Sequence, residues 1–249
     1  MLDFTIKTLV ELYTSLSRNG YKIITVSDFF QKKYSDKVCI LKHDIDRGIN
    51  NALRLAQREK ELNISASYYF RYPQTFNENI IKEICNLNHE IGYHYEVLAK
   101  AEGDYEKAID FFKNELEEFR KIIIIKTICA HGSPLSKWDN KKLWEKYDFK
   151  TFSIIGDANV SFDFSGSLYL TDTGRCWNNI GNIRDRVDTK LNFEFKNTQE
   201  IIYVLNQGKM PDKIMLNIHP NRWSANLFNW TIELVSQNIK NLIKEMAIK

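Results

Sequence analysis

The chain has 249 residues, of which 43% are hydrophobic and 27% charged, enough for one large globular domain with its own core. Its 35 basic and 32 acidic side chains are mixed along the sequence and leave a net charge of +3, so no nucleic acid partner is expected. No apolar run approaches the length of a membrane span, and the first residues lack the uninterrupted apolar segment of an export signal. The sequence therefore predicts a cytoplasmic protein without a membrane span, whose four scattered cysteines are reduced.

Helix-like and strand-like segments alternate along the chain, and no Pro/Ser-rich linker divides them. Apolar residues at helical spacing predict helices at 4–17, at 50–62, at 105–121 and over roughly the last twenty residues. Short apolar runs predict strands at 38–42, 65–70, 90–95, 127–130, 151–155, 168–170 and 214–218. This order predicts an α/β fold in one domain (1–249), a distorted (β/α) barrel of about seven mostly parallel strands on which an N-terminal helix at 4–19 packs. No glycine-rich phosphate loop follows the first strand, which argues against a dinucleotide-binding fold.

Two carboxylates stand one residue apart where the strand predicted at 38–42 ends. Because side chains alternate along a strand, Asp44 and Asp46 would emerge on the same side, while His43 and Ile45 point the other way. Carboxylates this close repel unless a cation neutralises one of them or a proton is shared, and both conditions describe a catalytic metal site. The alternative is a loop in which the two aspartates cap the next helix.

Polar clusters follow most of the other predicted strands as well. They lie at 43–47, 93–96, 131–134, 171–177 and 219–223, and they contain four of the five histidines. Because the carboxyl ends of the strands share one face in a parallel barrel, these clusters are predicted to meet there. His89 precedes its strand and is predicted to be a structural or surface residue.

Three of these segments resemble motifs of the polysaccharide deacetylase family, also called carbohydrate esterase family four. They are, in chain order, Lys42-His43-Asp44-Ile45-Asp46, Glu90-Ile91-Gly92-Tyr93-His94 and His131-Gly132-Ser133-Pro134. The match in order covers residues 38–223 and is similar to a divergent branch with an Asp-x-Asp first motif. The resemblance implies a metal-dependent enzyme that removes acetyl groups from sugars, in which Asp44 is the general base and Asp46 a metal ligand.

The second motif departs from the family pattern, which has two metal-binding histidines four residues apart. Here His94 fills the first position, but Leu98 fills the second. Leucine cannot bind a metal, so either another residue supplies the third ligand or the metal site has been lost. Among His131, His219 and Glu96 we favour His131, because the third motif lines the active-site groove and an imidazole there offers the same neutral nitrogen. The predicted ligands are Asp46, His94 and His131, and the predicted ion is zinc.

Two further catalytic roles follow from the same resemblance. His219, at the end of the last predicted strand, corresponds to the general acid, although it could instead be a histidine that caps a strand beside a proline. Arg175 would orient the catalytic base, and Trp177 would wall the acetyl pocket. Their alternatives are a simple turn at Gly174-Arg175 and a core aromatic at Trp177.

Three more residues are predicted to contact substrate. A backbone amide near Ser133 would help stabilise the oxyanion. Arg222 could hold an acidic substrate group or pair with a carboxylate, and Trp223 could line the site or belong to the core.

The function predicted from these residues is hydrolysis of the acetyl group of an acetylated amino sugar, as a free carbohydrate or a sugar nucleotide, in surface polysaccharide synthesis. Two alternatives stay open: a metal-free protein of this fold that binds a glycan or sugar nucleotide without cleaving it, and a metal-dependent hydrolase of another C–N bond or of a phosphoester. A serine hydrolase is disfavoured, since the sequence has no Gly-x-Ser-x-Gly elbow. No oligomeric state is predicted.

Overall fold

The molecule is built on a single curled sheet in which every strand pairing is parallel. A computed structural model of the chain describes residues 2–34, 36–177, 184–185, 187–191 and 193–248. Within these residues the sheet has eight strands, in the spatial order β6-β5-β4-β3-β2-β8-β7, with β1 paired to the first residues of β2. The strands are β1 (Lys22–Ile24), β2 (Val38–Ile45), β3 (Ser67–Phe70), β4 (Glu90–Tyr95), β5 (Thr127–Ala130), β6 (Gly156–Asp157), β7 (Leu168–Thr171) and β8 (Lys213–Ile218).

Helices connect the strands and cover the outside of the sheet, as the right-handed crossovers of parallel strands require. None of the helices within the described ranges has the length and apolar character that crossing a membrane requires. They are α1 (Ile6–Arg18), α2 (Val26–Gln31), α3 (Ile49–Glu61), α4 (Glu78–Asn86), α5 (Val97–Lys100), α6 (Tyr105–Arg120), α7 (Leu143–Lys146), α8 (Thr198–Asn206) and α9 (Leu227–Ile248).

The predicted α/β barrel of about seven mostly parallel strands is confirmed, with seven strands along the curl and β1 beside β2. The strand predicted at 151–155 is wrong. A 3₁₀ helix, Phe149–Phe152, occupies its first part, because the Asp148 carboxylate accepts a hydrogen bond from the Lys150 amide and starts the turn. The chain then reverses at Ser153, whose φ of 58° is left-handed, and strand β6 begins only at Gly156.

Side chains of the strands alternate between two cores. Within the barrel, Ile40, Tyr69 and Met215 belong to an inner apolar cluster. On the other face, residues such as Leu41 and Tyr93 pack beneath the helices in a larger cluster. Each strand therefore presents one row of side chains to the barrel interior and the other to the helices.

The inner row is packed tightly at Gly92 on β4. The Tyr69 ring from the neighbouring strand is fully buried, and its hydroxyl is 2.8 Å from the hydroxyl of Thr127. A Cβ atom added to Gly92 would overlap this ring and would lie 3.1 Å from the carbonyl oxygen of Thr127. Only glycine fits here without a shift of its neighbours.

His89 lies on the helix side of the sheet. Its Nδ1 accepts a hydrogen bond from the amide of Ala66 (3.2 Å), and its Nε2 donates to the carbonyl of Ala56 (3.0 Å). These two bonds join α3 to the start of β3, so His89 acts as a buried structural residue.

Candidate metal centre and active site

One pocket opens at the carboxyl end of the barrel, where the polar clusters that follow the strands meet. The predicted site residues that line it are Asp44, Asp46, His94, His131, His219 and Arg222. They come from β2, β4 and the residues that follow β5 and β8, so the expectation that these strand ends share a face agrees with the structure.

Three imidazoles surround the carboxylate of Asp46. Its Oδ1 lies 3.5 Å from Nε2 of His94 and 3.4 Å from Nε2 of His131, and its Oδ2 lies 3.8 Å from Nε2 of His219. The rings of His94 and His131 are nearly perpendicular, at 88°. All three histidines thus turn the same nitrogen toward one carboxylate.

The other ring nitrogen of each of these histidines is held by an acceptor of the protein. Nδ1 of His94 donates to the carbonyl of Cys129 (2.9 Å), and Nδ1 of His131 lies 2.7 Å from Oε2 of Glu96. Nδ1 of His219 lies 2.6 Å from a carboxylate oxygen. Because Nδ1 carries the proton in each case, Nε2 keeps its lone pair directed into the pocket, which is the arrangement that metal-binding histidines show.

The residues around Asp46 fit a divalent ion. Oδ1 of Asp46 is buried, and the described part of the chain supplies no hydrogen-bond partner for it. Its separations from Nε2 of His94 and of His131 exceed ordinary hydrogen bonds, but they match the spacing of about 3.4 Å between two ligands on a tetrahedral zinc ion with bonds near 2.1 Å. Ligand atoms of Asp46, His94 and His131 all lie within 4.8 Å of one another.

Leu98 is excluded from this centre by its position. It lies in α5 and is 1% exposed, as part of the apolar core between sheet and helices. His131 reaches the pocket from the end of the next strand, and its Nε2 lies 3.4 Å from Oδ1 of Asp46. The geometry therefore supplies a third donor although the motif lacks its second histidine.

Glu96 supports His131 and does not face the carboxylate of Asp46. Arg71 donates to both oxygens of Glu96 (2.7 Å each), and Oε2 of Glu96 also contacts the His131 ring. Burial alone would raise the pKa of Glu96, but the hydrogen bonds from His131 and Arg71 lower it to about 2. The carboxylate is therefore ionised and fixes the tautomer of His131.

Asp44 is held by a buried lysine. Nζ of Lys42 lies 2.8 Å from both carboxylate oxygens of Asp44, and the Lys42 side chain is 0% exposed. The two residues are neighbours on the inner row of β2, which is why their side chains meet. Asn217 on β8 donates a further hydrogen bond to Oδ2 of Asp44 (2.9 Å).

These contacts keep Asp44 charged. Burial would raise its pKa, but the charge of Lys42, followed by those of His94 and His219, holds the pKa well below the ordinary value of a carboxyl. Asp44 thus presents a permanent negative charge beside Asp46. Of these two carboxylates, Asp44 is neutralised by a cation of the protein itself, the ammonium of Lys42.

His219 is coupled to a second buried carboxylate, Asp172. Asp172 follows β7 and is 0% exposed, and besides the His219 ring it accepts hydrogen bonds from Nη1 of Arg222 (2.8 Å) and Nε1 of Trp223 (2.7 Å). Burial opposes ionisation, but Arg222 and His219 lower the pKa of Asp172. The result is a fixed Asp–His pair whose Nε2 faces the pocket.

Arg175 is not brought to Asp44, and we correct the expectation that it orients the base. Its guanidinium donates to the carbonyl of Trp230 (3.0 Å) and lies over the rings of Trp230 and Phe4. The reason is local, since Gly174 and Arg175 both have left-handed φ angles and turn the chain away from the pocket. Lys42 takes the position expected for the arginine.

Two tryptophans predicted to contact substrate are core residues, so those expectations are corrected as well. Trp177 is 3% exposed, stacks on Phe4, and donates to the hydroxyl of Thr198. Trp223 is 2% exposed, and its indole N–H is used by Asp172. Both rings are large apolar groups with one satisfied donor, which is the ordinary state of a buried tryptophan.

Arg222 and Ser133 lie at or next to the pocket, and each already makes hydrogen bonds within the protein. Arg222 pairs with Asp172, which was the alternative to substrate binding, and it still lines the pocket. The hydroxyl of Ser133 contacts Nδ1 of His131 (3.0 Å) and accepts from Asn140 (3.1 Å). The Ser133 hydroxyl therefore helps to hold the His131 ring on the side away from Asp46.

Lys42, Asp172 and Asn217 were not assigned by the sequence, although each carried a signal. Lys42 precedes Asp44 by two residues and so had to share its face. Asn217 precedes His219 by two residues in the same way, and Asp172 is the first residue after a strand. The sequence does not show which polar residue of each cluster turns its side chain toward the pocket.

Comparison with known proteins finds similar solved structures but no similar sequence. No protein-family model matches the chain, and no curated protein matches it either. Among solved structures, a CE4 family pseudoenzyme from Bacillus anthracis aligns with a TM-score of 0.46 at 10% identity, over 83% of this chain. The peptidoglycan deacetylase PdaC from Bacillus subtilis aligns with a TM-score of 0.43 at 13% identity, over 85% of this chain and 98% of its own.

A peptidoglycan N-acetylglucosamine deacetylase, Bc1960, aligns with a TM-score of 0.45 at 15% identity, over 86% of this chain and 85% of its own. These solved structures are from the deacetylase family that the sequence motifs resemble. The chain spans 62 to 65% of the length of the pseudoenzyme structures. At these identities the likeness concerns the fold, and the roles of individual residues rest on the geometry described above.

Proposed function

We propose that the protein is a metal-dependent hydrolase that removes an acetyl group from an acetylated sugar. The observation that carries the proposal is the convergence of three imidazole Nε2 atoms on Asp46, each with its Nδ1 already bonded, directly beside the charged Asp44. A core or surface role does not account for this, because charges and lone pairs directed at one point in a pocket are costly without a ligand.

The proposed metal ligands are Asp46, His94 and His131, and the proposed ion is zinc, which accepts two imidazoles and a carboxylate and leaves a position open. Bound there, the ion would polarise the acyl carbonyl and acidify the attacking water, which is what hydrolysis of an amide or ester at neutral pH requires.

Asp44 is proposed as the general base. Lys42 and Asn217 fix its carboxylate in place, so it need not reorient to accept the proton of water in the pocket. The positive charge of Lys42 also neutralises the carboxylate of Asp44 within the barrel, where burial of an unpaired carboxylate would destabilise the fold.

His219 is proposed as the general acid. Its Nδ1 is hydrogen-bonded to Asp172, and its Nε2 points toward the same space as Asp44 and Asp46, so a second proton taken up on Nε2 would be the transferable one. A proton delivered from Nε2 to the leaving nitrogen or oxygen would complete the reaction, and Asp172 would stabilise the charged ring.

The proposed substrate is an acetylated amino sugar that carries a phosphate, such as a sugar nucleotide. Lys141 and Arg184 line the pocket, and both approach the single carboxylate of Asp139, at 3.8 and 3.9 Å. The ammonium of Lys141 and the guanidinium of Arg184 share this wall with the carboxylates of Asp139 and Asp185, and they offer the charged donors that an anionic group on the ligand would need.

Acetate release tests the proposal. The purified chain, stripped of metal and reloaded with zinc, is incubated with an acetylated sugar nucleotide and with a neutral acetylated oligosaccharide. We expect acetate from the sugar nucleotide only when zinc is present, and we expect Asp46→Ala and His94→Ala to abolish both zinc retention and acetate release.

The matched control is His89→Ala, which changes a buried histidine outside the pocket and should leave zinc retention unaltered. His131→Ala should lose zinc, and retention of zinc by this variant would overturn its assignment as a ligand. A chain that binds no divalent ion, or that binds zinc without releasing acetate from either substrate, would contradict the proposed function.

A further inference from the structure

Helix α9 is docked on the body of the protein mainly by polar side chains, together with Trp230, whose indole N–H donates to the carbonyl of Asp3 (2.7 Å). Glu233 accepts hydrogen bonds from Arg47 (2.6 Å) and Asn221 (3.1 Å), and Asn241 donates to the carbonyl of Gly174 (3.0 Å). Gln237, between them on the helix, is 4% exposed. An ordinary surface helix does the opposite and buries its apolar face against the core.

The apolar face of α9 is turned to solvent. Five of its exposed apolar side chains are 52 to 75% accessible and follow one another at intervals of four, three, four and three residues: Phe228, Ile232, Val235, Ile239 and Leu242. Leu227, next to Phe228, is also exposed, at 66%. This is the heptad repeat of a coiled-coil seam, with isoleucines at the a positions and the other residues at d. We refer to these five residues as the α9 stripe.

The residues that flank the α9 stripe carry no charge. Its e and g neighbours are Asn229, Thr231, Ser236 and Asn238, and the charged residues between 227 and 242 are Glu233 and Lys240, which lie on other positions of the repeat. A second copy of the same helix can therefore lie along the stripe without any like-charge pair, in either direction.

We propose that the α9 stripe binds the α9 stripe of a second copy of this chain and forms a two-fold symmetric dimer. A two-fold interface uses the same patch on both partners, and a heptad seam is complementary to itself. Isoleucine at the a positions is typical of two-stranded seams. Two heptads would be marginal as free helices, but α9 is already held in helical form by its contacts with the body.

A membrane surface is the competing occupant, and α9 is poorly suited to it. Helices that lie in a bilayer surface have a broad apolar face and carry Lys or Arg on a free polar face. In α9 the stripe is narrow, the polar face is used by the protein, and Lys240 is the one cation between 227 and 242.

Sedimentation equilibrium of the full chain tests the dimer. We expect the wild type to sediment at twice its chain mass of 29.4 kDa. The variant Ile232→Asp/Ile239→Asp should associate roughly 100-fold more weakly, because two charges from each chain, four in the dimer, would have to be buried in the seam. The matched control Tyr203→Glu changes an exposed apolar residue on α8 and should remain dimeric.

A second variant, Val235→Ser/Leu242→Ser, introduces no charge and guards against loss of folding, which far-ultraviolet circular dichroism monitors in every sample. It too should sediment as a monomer. A wild type that is monomeric at all concentrations, or a dimer that survives both variants, would overturn the proposal. Flotation of a monomeric wild type with vesicles of phosphatidylglycerol and phosphatidylcholine would assign the stripe to a membrane instead.

Discussion

Lys42 shows how one residue decides the state of the site. An ammonium group is rarely buried in full, and here both partners of an ion pair lie inside the barrel. Burial would lower the pKa of Lys42, but Asp44 raises it above its ordinary value, so the lysine stays charged. Removal of either partner leaves the other as an unpaired charge in a low-dielectric interior.

The first prediction concerns this pair. Lys42→Met should reduce kcat for acetate release by about 100-fold or more, because Asp44 loses the contact that fixes its charge and position. It should also lower the free energy of unfolding by roughly 3–5 kcal/mol. Urea unfolding and steady-state kinetics on the same preparation measure the two effects.

A double variant separates stability from chemistry. Lys42→Met/Asp44→Asn removes both charges, so most of the lost stability should return while acetate release stays absent. If the single variant Lys42→Met kept full activity, Lys42 would have no role in positioning Asp44.

The second prediction concerns Asp172. Asp172→Asn keeps the shape of the side chain, but it removes the charge that faces the His219 ring and can present an N–H to Nδ1, which would reverse the tautomer. We expect kcat to fall by roughly 100- to 10,000-fold while zinc content is unchanged. Metal analysis alongside kinetics checks this, and loss of zinc from the variant would make His219 a ligand rather than an acid.

For single residues, the sequence predicted which strand end a residue lies at better than it predicted which way the side chain turns. Period-two alternation placed Asp44 and Asp46 on one face, and the order of strands placed the histidines at one end of the barrel. Arg175 and Trp177 were misassigned because two left-handed φ angles, at Gly174 and Arg175, redirect the chain after β7. Backbone dihedrals of this kind depend on tertiary contacts that no local pattern encodes.

At the scale of elements, β4 depends on a residue without a side chain. Gly92→Ala should destabilise the protein by about 1–3 kcal/mol, since the added methyl overlaps the Tyr69 ring and that ring is bonded to Thr127. Urea unfolding measures the change. Gly166→Ala is the control, because no atom lies within 4 Å of its added Cβ. Equal stability of the two variants would show that the Tyr69 ring can move aside for the added methyl group without a loss of stability.

The longer helices α1, α3 and α6 were predicted because they repeat their apolar residues over three turns or more, whereas α4 and α8, with nine residues each, were missed. Strands such as β2 and β8 were predicted from short runs of apolar residues. The missed β1 has three residues and β6 has two, which is too short for any pattern. The run at 151–155 satisfied the strand pattern, but it forms the end of a 3₁₀ turn and a reversed backbone, and of its residues only Ile154 is fully buried.

At the scale of the molecule, the proposed zinc ion should act on stability as a ligand of the native state. At a free concentration about 100-fold above its dissociation constant, zinc should raise the melting temperature by roughly 5–10 °C. Differential scanning calorimetry with and without a chelator measures the shift. Asp46→Ala should melt at one temperature in both conditions, and a wild type that does the same would contradict the proposed centre.

The bonded Nδ1 atoms of His94, His131 and His219 have a consequence for how the protein matures. Their partners are groups of the protein itself, and the barrel strands that carry them are packed through apolar cores on both faces. The chain can therefore finish folding before an ion arrives, unlike small domains that are unfolded without their metal. Loading of the proposed ion would then be a late step, in which the supply of ions and the order of their intrinsic affinities select the occupant.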